Sequence, residues 1–121
     1  MTDTPGPRLR TVLYAVDDMS AAVDFYRDAL GLPVRFRDGD RYTAIDAGGV
    51  TLALTGPGED VADGVAAAFQ VADVAASVRG LTAAGAVLVR GPEAGPHETR
   101  AVLRDPAGNP VVLYAPAKEK P

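Results

Sequence analysis

The segment Val16–Val23, VDDMSAAV, occurs a second time as Val71–Val78, VADVAASV, and the two copies share Val, Asp, Ala and Val at equivalent positions. Self-similarity of this kind is the sequence signature of a repeated supersecondary unit. Two further pairs of segments match, the first at a spacing one residue shorter: Ala29–Leu32 with Ala83–Ala86, and Gly49–Leu54 with Gly108–Leu113. The repeats predict two copies of one structural module in the chain.

The first module has the pattern of a strand, a helix and three strands. Leu9–Val16 alternates between apolar and polar residues, which predicts a strand. Asp18 or Ser20 caps the helix that follows, and Gly31 ends it. The next three strands are predicted at Val34–Arg37, Arg41–Asp46 and Val50–Thr55, separated by glycine-containing turns.

The second module repeats this order. A strand is predicted at Val65–Val71 and a helix at Val74–Ala84, with Gly85 ending the helix. The closing strands are predicted at Ala86–Arg90, Thr99–Arg104 and Pro110–Tyr114. The sequence therefore predicts a single α+β domain over residues 1–121, made of two βαβββ modules at 9–55 and 65–114 with a linker at 56–64.

Composition narrows the possible partners and compartment. The formal charge of −4 argues against nucleic acid, and no apolar run approaches the ~18 residues that cross a membrane. The chain has no cysteine and one histidine, so thiolate sites and sites that need two histidines are excluded. The first residues lack the layout of a signal peptide, which favours a cytoplasmic protein.

Two motifs resemble those of the vicinal oxygen chelate superfamily. They are Phe25–Leu32, FYRDALGL, in the first helix, and Arg104–Asn109, RDPAGN, before the last strand. This superfamily includes glyoxalase I, the extradiol dioxygenases, and the fosfomycin-resistance and bleomycin-resistance proteins. The resemblance implies that each module curls its mixed sheet into a half-cup with a helix on the convex face. It also implies that Phe25 and Tyr26 fill the helix–sheet core, and that Asp105, Gly108 and Asn109 build a tight turn.

The same resemblance identifies four positions on the cup. Metal-dependent members place His or Glu there, whereas this chain has Thr11, Ala53, Ala66 and Val112. A divalent metal needs imidazole, thiolate or carboxylate donors in about three first-shell positions, which three alkyl groups and a hydroxyl do not supply. We therefore expect a metal-independent protein without a cofactor.

Strand alternation adds further residues to the predicted cup surface, and a nearby loop adds one more. These residues are Leu13, Tyr42, Ala68, Gln70, Tyr114 and, in the loop, His97. A mostly apolar surface with a few polar groups suits a hydrophobic or aromatic small molecule. The tyrosines either stack on this molecule or are ordinary strand-edge residues. His97 is either a general acid or base or an exposed loop residue.

The functional hypothesis is a metal-independent protein of the bleomycin-resistance-like branch, a homodimer that binds or sequesters a hydrophobic metabolite or antibiotic. The absence of tryptophan and the 6% aromatic content argue against bleomycin itself, because its binders have acidic and tryptophan-rich grooves. One alternative is a metal-free lyase, isomerase or cyclase that acts on a small carbonyl or polyketide-like substrate. Another is a module that binds a protein partner and no small ligand.

Overall fold

The computed structural model describes residues 6–59 and 64–117 and shows the βαβββ order twice, which confirms the predicted α+β fold. The first α-helix continues directly into a π-helical segment. The elements are β1 (Arg8–Ala15), α1 (Met19–Val23), the π-helical segment (Asp24–Ala29), β2 (Val34–Asp38), β3 (Tyr42–Asp46), β4 (Thr51–Thr55), β5 (Ala66–Gln70), α2 (Val74–Ala83), β6 (Val87–Ala94), β7 (Glu98–Arg104) and β8 (Pro110–Pro116). None of the helices in these two ranges is long and apolar enough to cross a membrane.

The chain divides into two compact units. The first unit spans Arg10–Ala67, and its strands lie in the order β2-β3-β4-β1, with β1 parallel to β4 and the other pairs antiparallel. The second unit contains the described residues from Ala68 onward together with those up to Leu9. Its strands lie in the order β5-β8-β7-β6, and both β6-β7 and β7-β8 are antiparallel.

In the first unit, aliphatic side chains of α1 cover one face of the sheet. Met19 and Val23 are buried against Ile45, Leu52 and Leu54 of the central strands. Burying each such side chain contributes ~1.5–3 kcal/mol of hydrophobic free energy. This contact holds the helix on the sheet and determines which face of β4 is covered.

The second unit repeats the same packing with smaller residues. Val74 and Val78 of α2 are buried with Ala101, Leu103 and Leu113 of β7 and β8. On the last strand of each module, the large apolar residues Leu52, Leu54, Val111 and Leu113 pack on the helix side of the sheet.

Both helices begin with the same cap. The Asp18 carboxylate accepts a hydrogen bond from the backbone N–H of Ala21 at 3.0 Å, and the Asp73 carboxylate accepts from Ala76 at 3.0 Å. Each bond satisfies one of the free amides of a first helical turn. Of the two predicted caps of the first helix, Asp18 is therefore the cap, and Ser20 lies inside α1.

The prediction of one α-helix up to Gly31 is wrong, because the second half of this helix is a π-helix. The N–H of Leu30 donates to the carbonyl of Phe25 at 2.9 Å, five residues back. At the end of the first helix, the N–H of Leu32 donates to the carbonyl of Tyr26, six residues back. The equivalent bond of the second unit runs from Ala86 to Leu81, five residues back, so the first helix contains one residue more. This extra residue explains why the spacing between the repeats shortens by one.

The structure also corrects the predicted role of Phe25. This residue is 57% exposed, so it does not fill the core, whereas Tyr26 is half-buried and packs against the core with Tyr14. Adjacent residues of a helix point ~100° apart, so only one of these two aromatic residues faces the sheet.

The predicted tight turn before the last strand is confirmed. The Asp105 carboxylate accepts hydrogen bonds from the backbone N–H of Asn109 at 2.8 Å, from the Asn109 side-chain amide at 3.1 Å and from the N–H of Ala107 at 2.9 Å. Gly108 has a φ of 92°, a conformation that a side chain would strain. These bonds, above all those from Asn109, lower the pKa of Asp105 below its ordinary value.

Asp105→Asn tests the contribution of this carboxylate to stability. A carboxyl whose pKa is lower in the folded state stabilises the fold above its ordinary pKa of about 3.9, and this stabilisation disappears as the pH falls through the lowered value. We expect the variant to have the lower urea midpoint near neutral pH, with the difference from the wild type disappearing in acid. Asp17→Asn, at an exposed carboxylate, is the control, and an acid-independent difference would contradict the prediction.

Candidate functional site

In each unit the helix covers one face of the sheet, and we call the other face the helix-free face. On β4, Leu52 and Leu54 pack with α1, so the intervening Ala53 lies on the helix-free face. On β8, Leu113 and Val111 pack with α2, which places Val112 on the helix-free face of the second unit.

The helix-free face of the first unit combines small and aromatic residues. One row of paired residues crosses the four strands of this face. It runs from Leu13 on β1 through Ala53 on β4 and Ala44 on β3 to Phe36 on β2. The rings of Phe36 and Tyr42 lie 6.4 Å apart with a 46° tilt. An aromatic pair therefore lies beside a row of small side chains.

The sequence pattern does not assign Phe36 to the helix-free face, because β2 has a local irregularity. Val34 packs with the core on the helix side, and simple alternation would place Phe36 on that side too. A register shift between these residues places Phe36 opposite Ala44 instead. No feature of the sequence signals this bulge.

Strand alternation assigns β5 and β8 residues to the helix-free face of the second unit. Phe69 and Val71 pack with α2, so Ala68 and Gln70 lie on the opposite face of β5. On β8 the partner of Tyr114 is Arg100, and that of Val112 is Val102.

The predicted site residues differ in their exposure. Ala53, Ala66, Ala68 and Val112 are buried, with Ala53 at 0% exposure, and the residues that solvent reaches in part are Thr11, Leu13, Tyr42, Gln70 and Tyr114. On the helix-free face of each unit, solvent therefore reaches side chains with polar or larger apolar groups and does not reach the buried alanines.

The four positions implied by the family resemblance do not fit a divalent metal. Ala53 and Val112 lie on helix-free faces as expected, but their side chains offer no donor atom, and neither does Ala66. The Thr11 hydroxyl alone does not hold such an ion against water. Within residues 6–59 and 64–117, no three His, Asp or Glu side chains are grouped as metal ligands.

His97 lies in a short turn between β6 and β7. The strand β6 extends to Ala94, beyond the predicted end at Arg90, and Gly95 donates to the carbonyl of Glu98 at 2.7 Å to close the turn. His97 is exposed beside a cavity of about 370 Å³ that is also lined by Glu93, Glu98 and Arg100. The other nine predicted site residues, all within the described ranges, do not line this cavity.

An arginine on β2 contacts the helix-free face of the first unit. The Arg35 guanidinium donates to the Thr51 hydroxyl at 3.2 Å and lies 3.8 Å from the Asp46 carboxylate. Thr51 is paired with Thr11, so this arginine is close to a predicted site residue. It can orient a hydrogen-bond acceptor at this edge of the face.

Comparisons with known proteins agree with this architecture. The sequence profile of the glyoxalase/bleomycin resistance protein/dioxygenase superfamily matches residues 8–113. The chain belongs to this superfamily. It is 36% identical over 111 residues to an uncharacterised protein of Mycolicibacterium smegmatis, a match that covers 91% of this chain and 95% of that protein.

Solved structures of this superfamily share the fold at low sequence identity. A superfamily member from Vibrio splendidus 12B01 has a TM-score of 0.69 at 18% identity, covering 88% of this chain and 98% of that chain. Methylmalonyl-CoA epimerase from Mycobacterium tuberculosis has a TM-score of 0.64 at 23% identity, covering 92% of this chain and 89% of that chain. The resemblance to the vicinal oxygen chelate superfamily is confirmed at the level of fold.

Ala53→Leu tests how tightly the helix-free face of the first unit is packed. Ala53 is fully buried, so three added carbons overpack its surroundings, and we expect a loss of ~1–3 kcal/mol in the free energy of unfolding by urea. Ala47→Leu, at an exposed turn residue, serves as the matched control and should change little. A neutral Ala53→Leu would mean that open space lies above this position.

Proposed function

We propose that this protein binds a hydrophobic or aromatic small molecule without a metal and sequesters it, as in the bleomycin-resistance-like branch of the superfamily. The observation that carries the proposal is the residue set at the four metal-ligand positions of the family, Thr11, Ala53, Ala66 and Val112. Three of these four side chains have no donor atom, which leaves apolar contact as the main source of affinity. A toxic metabolite or an antibiotic other than bleomycin fits this description.

On the helix-free face of the first unit, Phe36 and Tyr42 support a flat aromatic ligand with few polar groups, because stacking on their rings provides large contact area with specific geometry. The Thr11 hydroxyl can satisfy a hydrogen-bonding group of this ligand. On the helix-free face of the second unit, Tyr114 offers a ring and Gln70 an amide. Such a mixture of apolar walls and a few polar groups is typical of small-molecule sites.

We also propose that the protein is a homodimer. The edge strand β6 carries Val87 and Val89 at 61% and 52% exposure, and apolar edge strands tend to pair or become covered. The first unit exposes Phe25 on its π-helical segment and Leu30 directly after it. Symmetric association of two copies buries apolar surface of this kind.

A second candidate function, a metal-free enzyme, is supported by the surroundings of His97. An exposed imidazole beside two carboxylates and a guanidinium around one cavity is a plausible acid–base group for a small carbonyl substrate. Members of this fold include an epimerase, so the fold is compatible with catalysis. This alternative predicts chemical change of the bound molecule.

The function is tested by native mass spectrometry of the protein together with metal analysis. We expect a small aromatic molecule to be retained through purification, less than stoichiometric iron, zinc, nickel and manganese, and an unchanged melting temperature after dialysis against a strong chelator. Stoichiometric metal with a large loss of stability on chelation would overturn metal independence.

The retained molecule then distinguishes binding from catalysis. We expect it to keep its mass during incubation with the protein, and Tyr42→Ala to weaken its binding while Tyr42→Phe preserves the ring contact. A change in mass that depends on His97 and is lost in His97→Gln would favour the enzyme instead.

The dimer is tested by sedimentation equilibrium at micromolar concentration. We expect twice the chain mass for the wild type and a shift toward the monomer for Val89→Lys, because a buried charge without a partner opposes association. Arg79→Lys, at an exposed residue of α2, keeps the charge unchanged and serves as the control. A wild-type monomer would contradict the prediction.

A further inference from the structure

The second unit contains an apolar cavity of about 510 Å³ on the helix side of its sheet. Its lining includes Phe69, Leu103 and Val111 from the sheet, and Gly80, Leu81 and Ala84 from α2 and its C-terminal end. This is the face opposite to Val112 and Tyr114, so the cavity is distinct from the site proposed above. Its volume lies within the range of ~300–1,000 Å³ typical of small-molecule pockets.

The internal repeat explains why this cavity exists. Equivalent backbone hydrogen bonds, from Leu32 to Tyr26 and from Ala86 to Leu81, align the two helix ends. In the first unit the Tyr26 ring lies 6.3 Å from the Tyr14 ring, and Leu32 packs against the same core. The second unit has the smaller leucine and alanine at these positions, and Leu81 remains 39% exposed.

Further small residues widen the gap along α2. Gly80 and Ala84 also line the cavity, and a Cβ atom added at Gly80 meets no atom within 4 Å. The cavity therefore occupies space that the Tyr26 ring and the Leu32 side chain fill in the first module, and a ligand group of that shape is complementary to it.

Three polar residues contribute to the lining, Ser77, Arg104 and Asp105, and the other walls are apolar. The Asp105 carboxylate is held by the amides of its own turn, and Arg104 donates to the carbonyl of Gly108 at 3.0 Å. Both charged groups are thus held at the turn, and apolar contact supplies most of the affinity for a ligand.

We propose that this cavity is a second binding site, for a neutral aromatic compound of about two fused rings. The rings fill the space between α2 and the sheet. The compound is neutral because Asp105 lies beside Arg104 in the lining, so an anion gains little there.

Fluorescence titration with prodan, a neutral naphthyl ketone, tests the proposal on the full chain. We expect prodan to bind one site per chain with a blue-shifted emission. Ala86→Leu and Leu81→Tyr, which place the first module's side chains in the cavity, should each weaken prodan by about tenfold or more and raise the urea midpoint. Ala75→Leu, on the exposed side of α2, is the matched control and should leave prodan binding unchanged.

Other outcomes overturn the proposal. The proposal is wrong if the wild type does not bind prodan. It is also wrong if Tyr42→Ala abolishes prodan binding and Ala86→Leu does not, because prodan would then bind to the helix-free face. A change in sedimenting mass in Ala86→Leu would show that a second copy covers the cavity. Prodan binding that appears only after removal of residues 1–5 would identify the chain's own N-terminal segment as the occupant.

Discussion

Each half of this protein depends on one contact, the packing of a few aliphatic side chains of a short helix against the central strands of its sheet. Met19 and Val23 make this contact in the first unit, and Val74 and Val78 make it in the second. Because side chains alternate along a strand, covering one face also decides which residues lie on the other. The position of Ala53 and the candidate site around it follow from what the helix buries.

The features that follow from local pattern were predictable from the sequence. The order of elements is visible in the repeat, and the cap at Asp18 follows from a carboxylate placed to accept from a first helical turn. The π-helical segment was not predicted, since the shorter repeat spacing reveals one extra residue but not that a helical turn holds it. The exposure of Phe25 and the bulge before Phe36 also depend on tertiary packing and strand pairing, which local propensity does not determine.

The candidate site, too, was only partly predictable from the sequence. The family resemblance implies the four ligand positions, the residue types there show that metal ligands are missing, and alternation assigns Val112 to its face once Leu113 is known to be in the core. The exposure of a residue depends on its neighbours in space. The burial of Ala53 and the short turn that contains His97 are therefore known only from the structure. The cavity beside α2 exists because Leu81 and Ala86 are smaller than the equivalent Tyr26 and Leu32 of the first module. This difference is recognised only when the two modules are aligned.

The π-helical turn also shows where a module of this kind tolerates a change of length. One residue more or less inside a strand would reverse the facing of every later side chain in that strand. Inside the helix, the extra residue is absorbed within one widened turn, and the strands that follow still pair with their neighbours. Gly31 and Gly85 follow the two helices with φ of 90° and 112°, so the chain leaves both helices through the same left-handed backbone conformation.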